Sequence, residues 1–427
     1  MRWYAQAGTP EVSFEDAFDA QARRYTLTLR QHTPPTPGQA EKHPLPIPVA
    51  LGLLAPDGSE LLSRTVLLRQ SEQAFVFDDV AVRPVPSLLR GFSAPVKLRG
   101  GTEQHWRFLA RHDGDPFVRW DAIQHYATGL LLELARRWRA REELALETGL
   151  SESIAGVLGH AEADPAFAAI AMALPSEARV GDEMPQDDVE AVHAVRRFAT
   201  AAIGRTLSRE LRDTYDRLSE NANPAAIDGL SIGRRSLKNI CLWYLAQSDP
   251  GAAAASALRQ FEAAVNMTDV LAALGVLSDI ETPERDRALA SFHARWRDDA
   301  LVLDKWFAIQ AGSAHPGVLQ HVLRLSNHPD FDLGNPNRVR ALIGTFAANR
   351  AGFHAAGGEG YRLLADTVIA LDKRNSQVAA RLTTPLARWR RFAPERQARM
   401  QAQLRRIHDA PGLSRATGEM VSRSLAD

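Results

Sequence analysis

The chain of 427 residues holds one cysteine, five lysines, no surplus of either charge and no long apolar run. Each scarcity excludes something. With Cys241 alone, no disulfide forms within the chain, and its setting in Ile240-Cys-Leu-Trp-Tyr-Leu245 is that of a small buried hydrophobe in a reducing compartment. Basic and acidic residues number 51 each, so no net field draws in nucleic acid or an anionic membrane surface. No stretch approaches the roughly 18 apolar residues of a membrane span, and the start, Met1-Arg-Trp-Tyr-Ala-Gln-Ala-Gly8, lacks the apolar core of a signal peptide. The expectation is a cytoplasmic protein, with neither nucleic acid nor membrane as partner.

What is present is a balance of 45% apolar and 24% charged residues, which belongs to folded globular chains, at a length that favours two or three domains. In Tyr25-Thr-Leu-Thr-Leu-Arg30 the apolar side chains recur every second position, the period of a pleated strand. Similar runs lie at 47–54, 61–68, 74–80 and 88–98, separated by turn chemistry at Pro34 to Gly38, Pro56-Asp-Gly58 and Pro84 to Pro86. Short strands with turns between them predict an antiparallel, Ig-like β-sandwich. A last alternating segment is expected at His105 to Ala110.

Beyond Gly100-Gly101 the apolar spacing moves to three and four. Phe117, Trp120, Ile123, Ala127, Leu131, Leu134 and Trp138 share one helical stripe. Asp164-Pro165 and Thr282-Pro283 carry the cap-then-proline signature of helix starts. Further helices are joined by short links such as Ser248 to Gly251 and Ser326 to Pro329, without a crisp repeat signature. The expected organisation is mainly α with an N-terminal all-β domain: a sandwich over 1–102, then an irregular HEAT/armadillo-like α-solenoid over 103–427.

No complete catalytic constellation is legible. None of the 13 histidines is followed by Glu, and none has another His four residues on, so the His-Glu-x-x-His zinc signature is missing. The nearest spacings, His105 to His112 and His321 to His328, are seven apart and read as structural. Gly229-Leu-Ser231-Ile-Gly233 matches the Gly-x-Ser-x-Gly elbow of serine hydrolases, but the preceding Asn223-Pro-Ala-Ala-Ile-Asp228 is turn-like and not a strand. Ser231 reads better as the cap of a helix beginning near Arg234. Gly357-Gly-Glu-Gly360 lacks the lysine of a phosphate loop and reads as a turn between helices. The arginine-rich tail (Arg388, Arg390, Arg391, Arg396, Arg399, Arg405, Arg406) is interrupted by Glu395 and Asp409 and reads as solvated helix faces.

Longer strings spread along the chain carry a resemblance. They include Arg2 to Pro10, Thr33 to Lys42, Glu72 to Asp79, Gly91 to Leu98, Arg119-Trp-Asp-Ala122, Asn266-Met-Thr-Asp269, Asp304-Lys-Trp-Phe307, Asn335-Pro-Asn-Arg-Val-Arg340 and Asn375-Ser-Gln-Val-Ala-Ala-Arg381. Together they resemble the C-terminal half of the bacterial aminopeptidase N (alanyl aminopeptidase) family of zinc metallopeptidases. The resemblance implies a four-domain enzyme that removes N-terminal residues from peptides, of which this chain would hold the third and fourth domains. Met1 falls at what looks like an internal position of the family sequence, which implies either an expressed fragment or a separately encoded polypeptide. Catalytic residues, metal ligands and the zinc cofactor would all belong to the missing catalytic half, the expected partner, and short or unstructured peptides would be the substrates. By motif position Arg340 and Arg381, with Gln377 beside the latter, resemble residues that face the peptide downstream of the scissile bond. The competing class is a stand-alone helical-repeat module that binds a peptide or another protein.

Overall fold

A computed structural model describes residues 2–220 and 225–426. Seven strands form the N-terminal part: β1 (Glu11–Asp19), β2 (Arg24–His32), β3 (Ile47–Leu54), β4 (Glu60–Leu68), β5 (Glu72–Phe77), β6 (Val85–Leu88) and β7 (Lys97–Arg99). They make two sheets, ordered β5-β2-β1-β7 and β4-β3-β6. Neighbours within each sheet are antiparallel except β1 and β7, which run parallel. Alternation places Tyr25, Leu27 and Leu29 of β2 in the core, against Ile47, Val49, Leu51 and Leu53 of β3 and Val66 and Leu68 of β4.

Three strand expectations change. β1 was not foreseen, because Glu11, Glu15, Asp16 and Asp19 dilute its apolar signal and only Val12 is buried. The run expected at 88–98 is broken by a tight turn at Arg90–Phe92, where Leu89 and Gly91 both have positive φ. The segment at His105 to Ala110 lies in a helix, Glu103–His112, and not in a strand. Thr102 caps it by accepting the His105 N–H, and Trp106, Leu109 and Ala110 bury one helical face.

Helices follow to the C-terminus. In helix Pro116–Ala140 the expected stripe is buried at Ile123, Ala127, Leu131 and Leu134. Asp164 and Thr282 accept N–H bonds at the starts of Pro165–Ala171 and Pro283–Trp296, as their sequences predict. Two compact units result: Met1–Gly129 with Glu147–Ala161 and Ile170–Met172, and Leu130–Leu146 with Glu162–Ala169 and Ala173–Asp427.

The second unit is organised around a buried polar cluster. Asp269, on helix Met267–Ser278, accepts from Lys238 Nζ at 2.7 Å and Asn239 Nδ2 at 3.0 Å, both from helix Gly229–Ser248. Gln260, on helix Pro250–Ala263, donates to Asn239 Oδ1 and to the Asp269 carbonyl, and accepts from the Tyr215 hydroxyl at 3.1 Å. Asn266 caps the Asp269 helix and also reaches its carboxylate. With Tyr215 on helix Ser208–Glu220, four successive helices are thus locked by groups that are buried or half-buried. Cys241, one turn along from Lys238, is wholly buried, and burial pushes its thiol up to about 12, so it packs as an inert apolar group.

Removing one member of this cluster strands the other charge. Lys238→Met is expected to lower unfolding free energy by about 3–5 kcal/mol in urea titration, and Lys238→Met with Asp269→Leu to recover much of that loss.

Candidate functional site

The strings that stand out in the sequence meet one another in space. Near the N-terminus, Lys42 Nζ donates to the Ala7 carbonyl, Thr36 Oγ1 and Gln39 Oε1, while Gln39 bridges Ala7 N–H and the Ala5 carbonyl. Residues 2–10 and 33–42 therefore form one docked pair of segments. In the helical unit, Arg338 of the Asn335 string donates through Nε to Asp304 Oδ1 at 2.5 Å, and its guanidinium lies 5.0 Å from the ring centre of Phe307. Arg338 also donates to the Asp330 carbonyl. Asp304 and Phe307 are the ends of Asp304-Lys-Trp-Phe307, so two distant strings build one buried ion pair.

Arg340 stands just past that anchor. Asn335 caps helix Pro336–Val339, and the next residues, Arg340–Gly344, form a π-turn before helix Thr345–Ala348. Such insertions into the α-helical ladder are rare and recur at functional sites. Val339, Leu342 and Ile343 are buried while Arg340 is exposed, with Asn337 Oδ1 accepting from its Nη1 at 2.8 Å. Gln377 and Arg381 lie four apart on helix Ser376–Leu382, capped by Asn375, and both are exposed. Neither side chain has a hydrogen bond or ion pair among the described residues. The structure thus brings Gln377 and Arg381 together, and puts Arg340 on a separate segment packed against Ala300–Ala311.

Other sequence candidates resolve differently. Ser231 lies inside helix Gly229–Ser248; the cap is Asp228, whose carboxylate accepts the Ser231 N–H at 2.9 Å, so the expected capping role moves three residues upstream. No strand leads into it among the described residues, and Asn223 and Pro224 lie outside them. Gly358, with φ +76°, caps helix Glu359–Asp372 and makes the expected turn. The arginine-rich tail is spent inside the unit, not on solvated faces alone. Arg388 pairs with Asp182, Arg391 donates to the carbonyls of Gly181, Asp182 and Met184, Arg396 pairs with Glu190, and Arg406 pairs with Asp366.

The histidine spacings do not form pairs. Burial pulls His105 down to about 4, and His321, taken down to about 4 by burial and the Arg285 cation, accepts from Arg285 Nη2 at 2.6 Å. His328 instead meets His293 and Asp330, the single trio of His, Cys, Asp or Glu donors gathered closely enough for a metal among the described residues. No sequence spacing pointed to it, since its members lie 35 and 2 residues from His328. Among the described residues no helix is long and apolar enough to cross a membrane.

The class defined by this architecture is an Ig-like β domain followed by a mostly helical repeat region. The chain belongs to the family described as "Domain of unknown function (DUF3458_C) ARM repeats", matched over residues 103–426, and residues 8–100 match "Domain of unknown function (DUF3458) Ig-like fold". Aminopeptidase N of Escherichia coli (strain K12) is 38% identical over 439 residues, covering 100% of this chain and 50% of the relative. Aminopeptidase N of Haemophilus influenzae (strain ATCC 51907 / DSM 11121 / KW20 / Rd) is 37% identical, covering 99% and 50%, and that of Caulobacter vibrioides (strain ATCC 19089 / CIP 103742 / CB 15) 42% identical, covering 99% and 49%. The crystal structure of Legionella pneumophila aminopeptidase A in complex with aspartic acid superposes with a TM-score of 0.88 at 29% identity, over 99% of this chain and 49% of that one. The chain spans about half the length of these relatives. It is homologous to their C-terminal part, and the catalytic domain is absent from it.

Neighbouring arginines of one string should separate cleanly. Arg338→Ala strands Asp304 and is expected to lower stability by about 3–5 kcal/mol, whereas Arg340→Ala should stay within about 0.5 kcal/mol of the parent by urea denaturation.

Proposed function

We propose that this chain is the non-catalytic C-terminal part of a cytoplasmic zinc aminopeptidase, serving as wall and gate of the substrate chamber. The observation that carries this reading is the match of its whole length to half of several aminopeptidase N relatives. The boundary between sandwich and helical domain falls at residues 102 and 103. The zinc and the water-activating groups reside on the catalytic half, because no His here is followed by Glu and no His-Glu-x-x-His exists to hold them. That half is the principal partner, and the substrates are peptides short or unstructured enough to enter a closed chamber.

Arg340, Arg381 and Gln377 contact the peptide on the primed side. Three observations support this. All three are exposed, the Arg381 and Gln377 side chains have no partner among the described residues, and the Arg340 backbone opens a π-turn on a firmly anchored segment. A guanidinium offers a planar fork of donors for a peptide carboxylate or carbonyl, and a neighbouring amide at i,i+4 can donate alongside it.

The test mixes this chain with the separately produced catalytic half. Alone and supplied with zinc, the chain should not hydrolyse alanyl-anilide substrates, and activity on peptides should appear or change on mixing. In the reconstituted enzyme Arg340→Ala and Arg381→Ala should each raise KM for longer peptides roughly 10-fold, the size of one lost charge-assisted hydrogen bond, with kcat kept. Unchanged KM for both would remove them from the site, and turnover by the chain alone would refute the division of labour.

A further inference from the structure

We propose that His293, His328 and Asp330 form a binding site for a divalent transition-metal ion of the zinc class. His293 projects from helix Pro283–Trp296, and His328 and Asp330 flank Pro329 in the link after helix Val318–Leu325. Proline fixes its own φ and restricts the residue before it, so the two link donors are presented on a stiff hinge. Their donor atoms all lie within 4.8 Å of one another. Asp330 Oδ2 is 2.6 Å from His293 Nε2 and 3.7 Å from His328 Nδ1.

Those spacings suit a metal. Ligands bound at about 2.0–2.1 Å in a tetrahedron sit about 3.3 Å apart, between the separations of Asp330 Oδ2 from the two imidazoles, so a rearrangement of the three side chains would admit an ion in place of the hydrogen bond between His293 and Asp330. The competing claim on His328 is weak: its Nδ1 accepts the Asp330 backbone N–H at 3.2 Å, the long end of hydrogen-bond lengths. Trp306 walls the site, its ring 4.7 Å from His293 and 5.3 Å from His328, and its indole N–H is already committed to the Leu289 carbonyl. Arg338 holds the link from behind through the Asp330 carbonyl while Asp304 takes up its charge. Outer support of this kind orients metal ligands.

Two imidazoles and one carboxylate, with no thiolate, favour zinc, cobalt, nickel or copper over magnesium or calcium, which prefer all-oxygen shells. Three protein ligands leave a fourth position for water. An ion there would clip helix Pro283–Trp296 to the link that leads into Asn335 and Arg340, stiffening the segment that carries Arg340.

The experiment uses the whole chain, stripped by a chelator and loaded with zinc at neutral pH. Elemental analysis after gel filtration should find about one zinc per chain, retained in excess magnesium. His328→Ala and Asp330→Asn should each weaken zinc by at least about 10-fold in calorimetric titration. Asp330→Asn keeps the shape of the link, so folding is preserved: zinc should raise the thermal midpoint of the parent chain but not of this variant. Bound copper should quench tryptophan fluorescence, and Trp306→Phe should remove most of that quenching. A parent chain that retains no zinc, or variants that bind it as the parent does, would overturn the proposal. Neither result bears on the peptide contacts of Arg381, so the two readings fail separately.

Discussion

A single buried cation organises the part of the helical unit on which the functional reading rests. Arg338 is almost fully enclosed, and a guanidinium taken out of water is tolerable only if its charge and its donors are met. Asp304 meets the charge, the Asp330 carbonyl takes a donor, and the Phe307 ring covers a face. Because those three partners come from a helix and from the link 326–335, satisfying one side chain fixes both relative to the Asn335 segment. The π-turn that begins at Arg340 starts two residues further on, and two of the histidine and carboxylate trio, His328 and Asp330, belong to the same link.

The same economy recurs elsewhere. Asp269 ties three consecutive helices through Lys238, Asn239 and Gln260, and the arginines of the C-terminal segment close onto residues 181–190. A stack of helices has no sheet to set its register, so directional polar contacts between helices supply specificity that apolar packing alone does not. Residues that look like a chemical signature in the sequence, such as Asn266 to Asp269, are in this light the fasteners of a scaffold. That is coherent with a region homologous to the part of aminopeptidase N that lies outside the catalytic domain. Among the exposed arginines, Arg340 is set apart by the π-turn that begins with it on an anchored segment, and Arg381 by its place beside Gln377 on one helix face.

The amino-acid sequence by itself determined the class of fold and the positions of several strands and helix starts. Period two in Tyr25 to Arg30 and period 3.6 from Phe117 onward are local consequences of backbone geometry, and caps such as Asp164 and Thr282 act within three residues. The absence of His-Glu-x-x-His was equally plain. Where local pattern was ambiguous it misled: His105 to Ala110 alternates and also fits a helical face, and burial of Trp106, Leu109 and Ala110 decided for the helix. Ser231, at the centre of a five-residue elbow motif, reads as a helix cap, yet the Asp228 carboxylate upstream had already started the helix. Only the tertiary structure could pair Arg338 with Asp304, 34 residues away, or bring His293 to His328 and Asp330. Such contacts depend on how helices stack, and side-chain direction at long range leaves no periodic trace in a linear string.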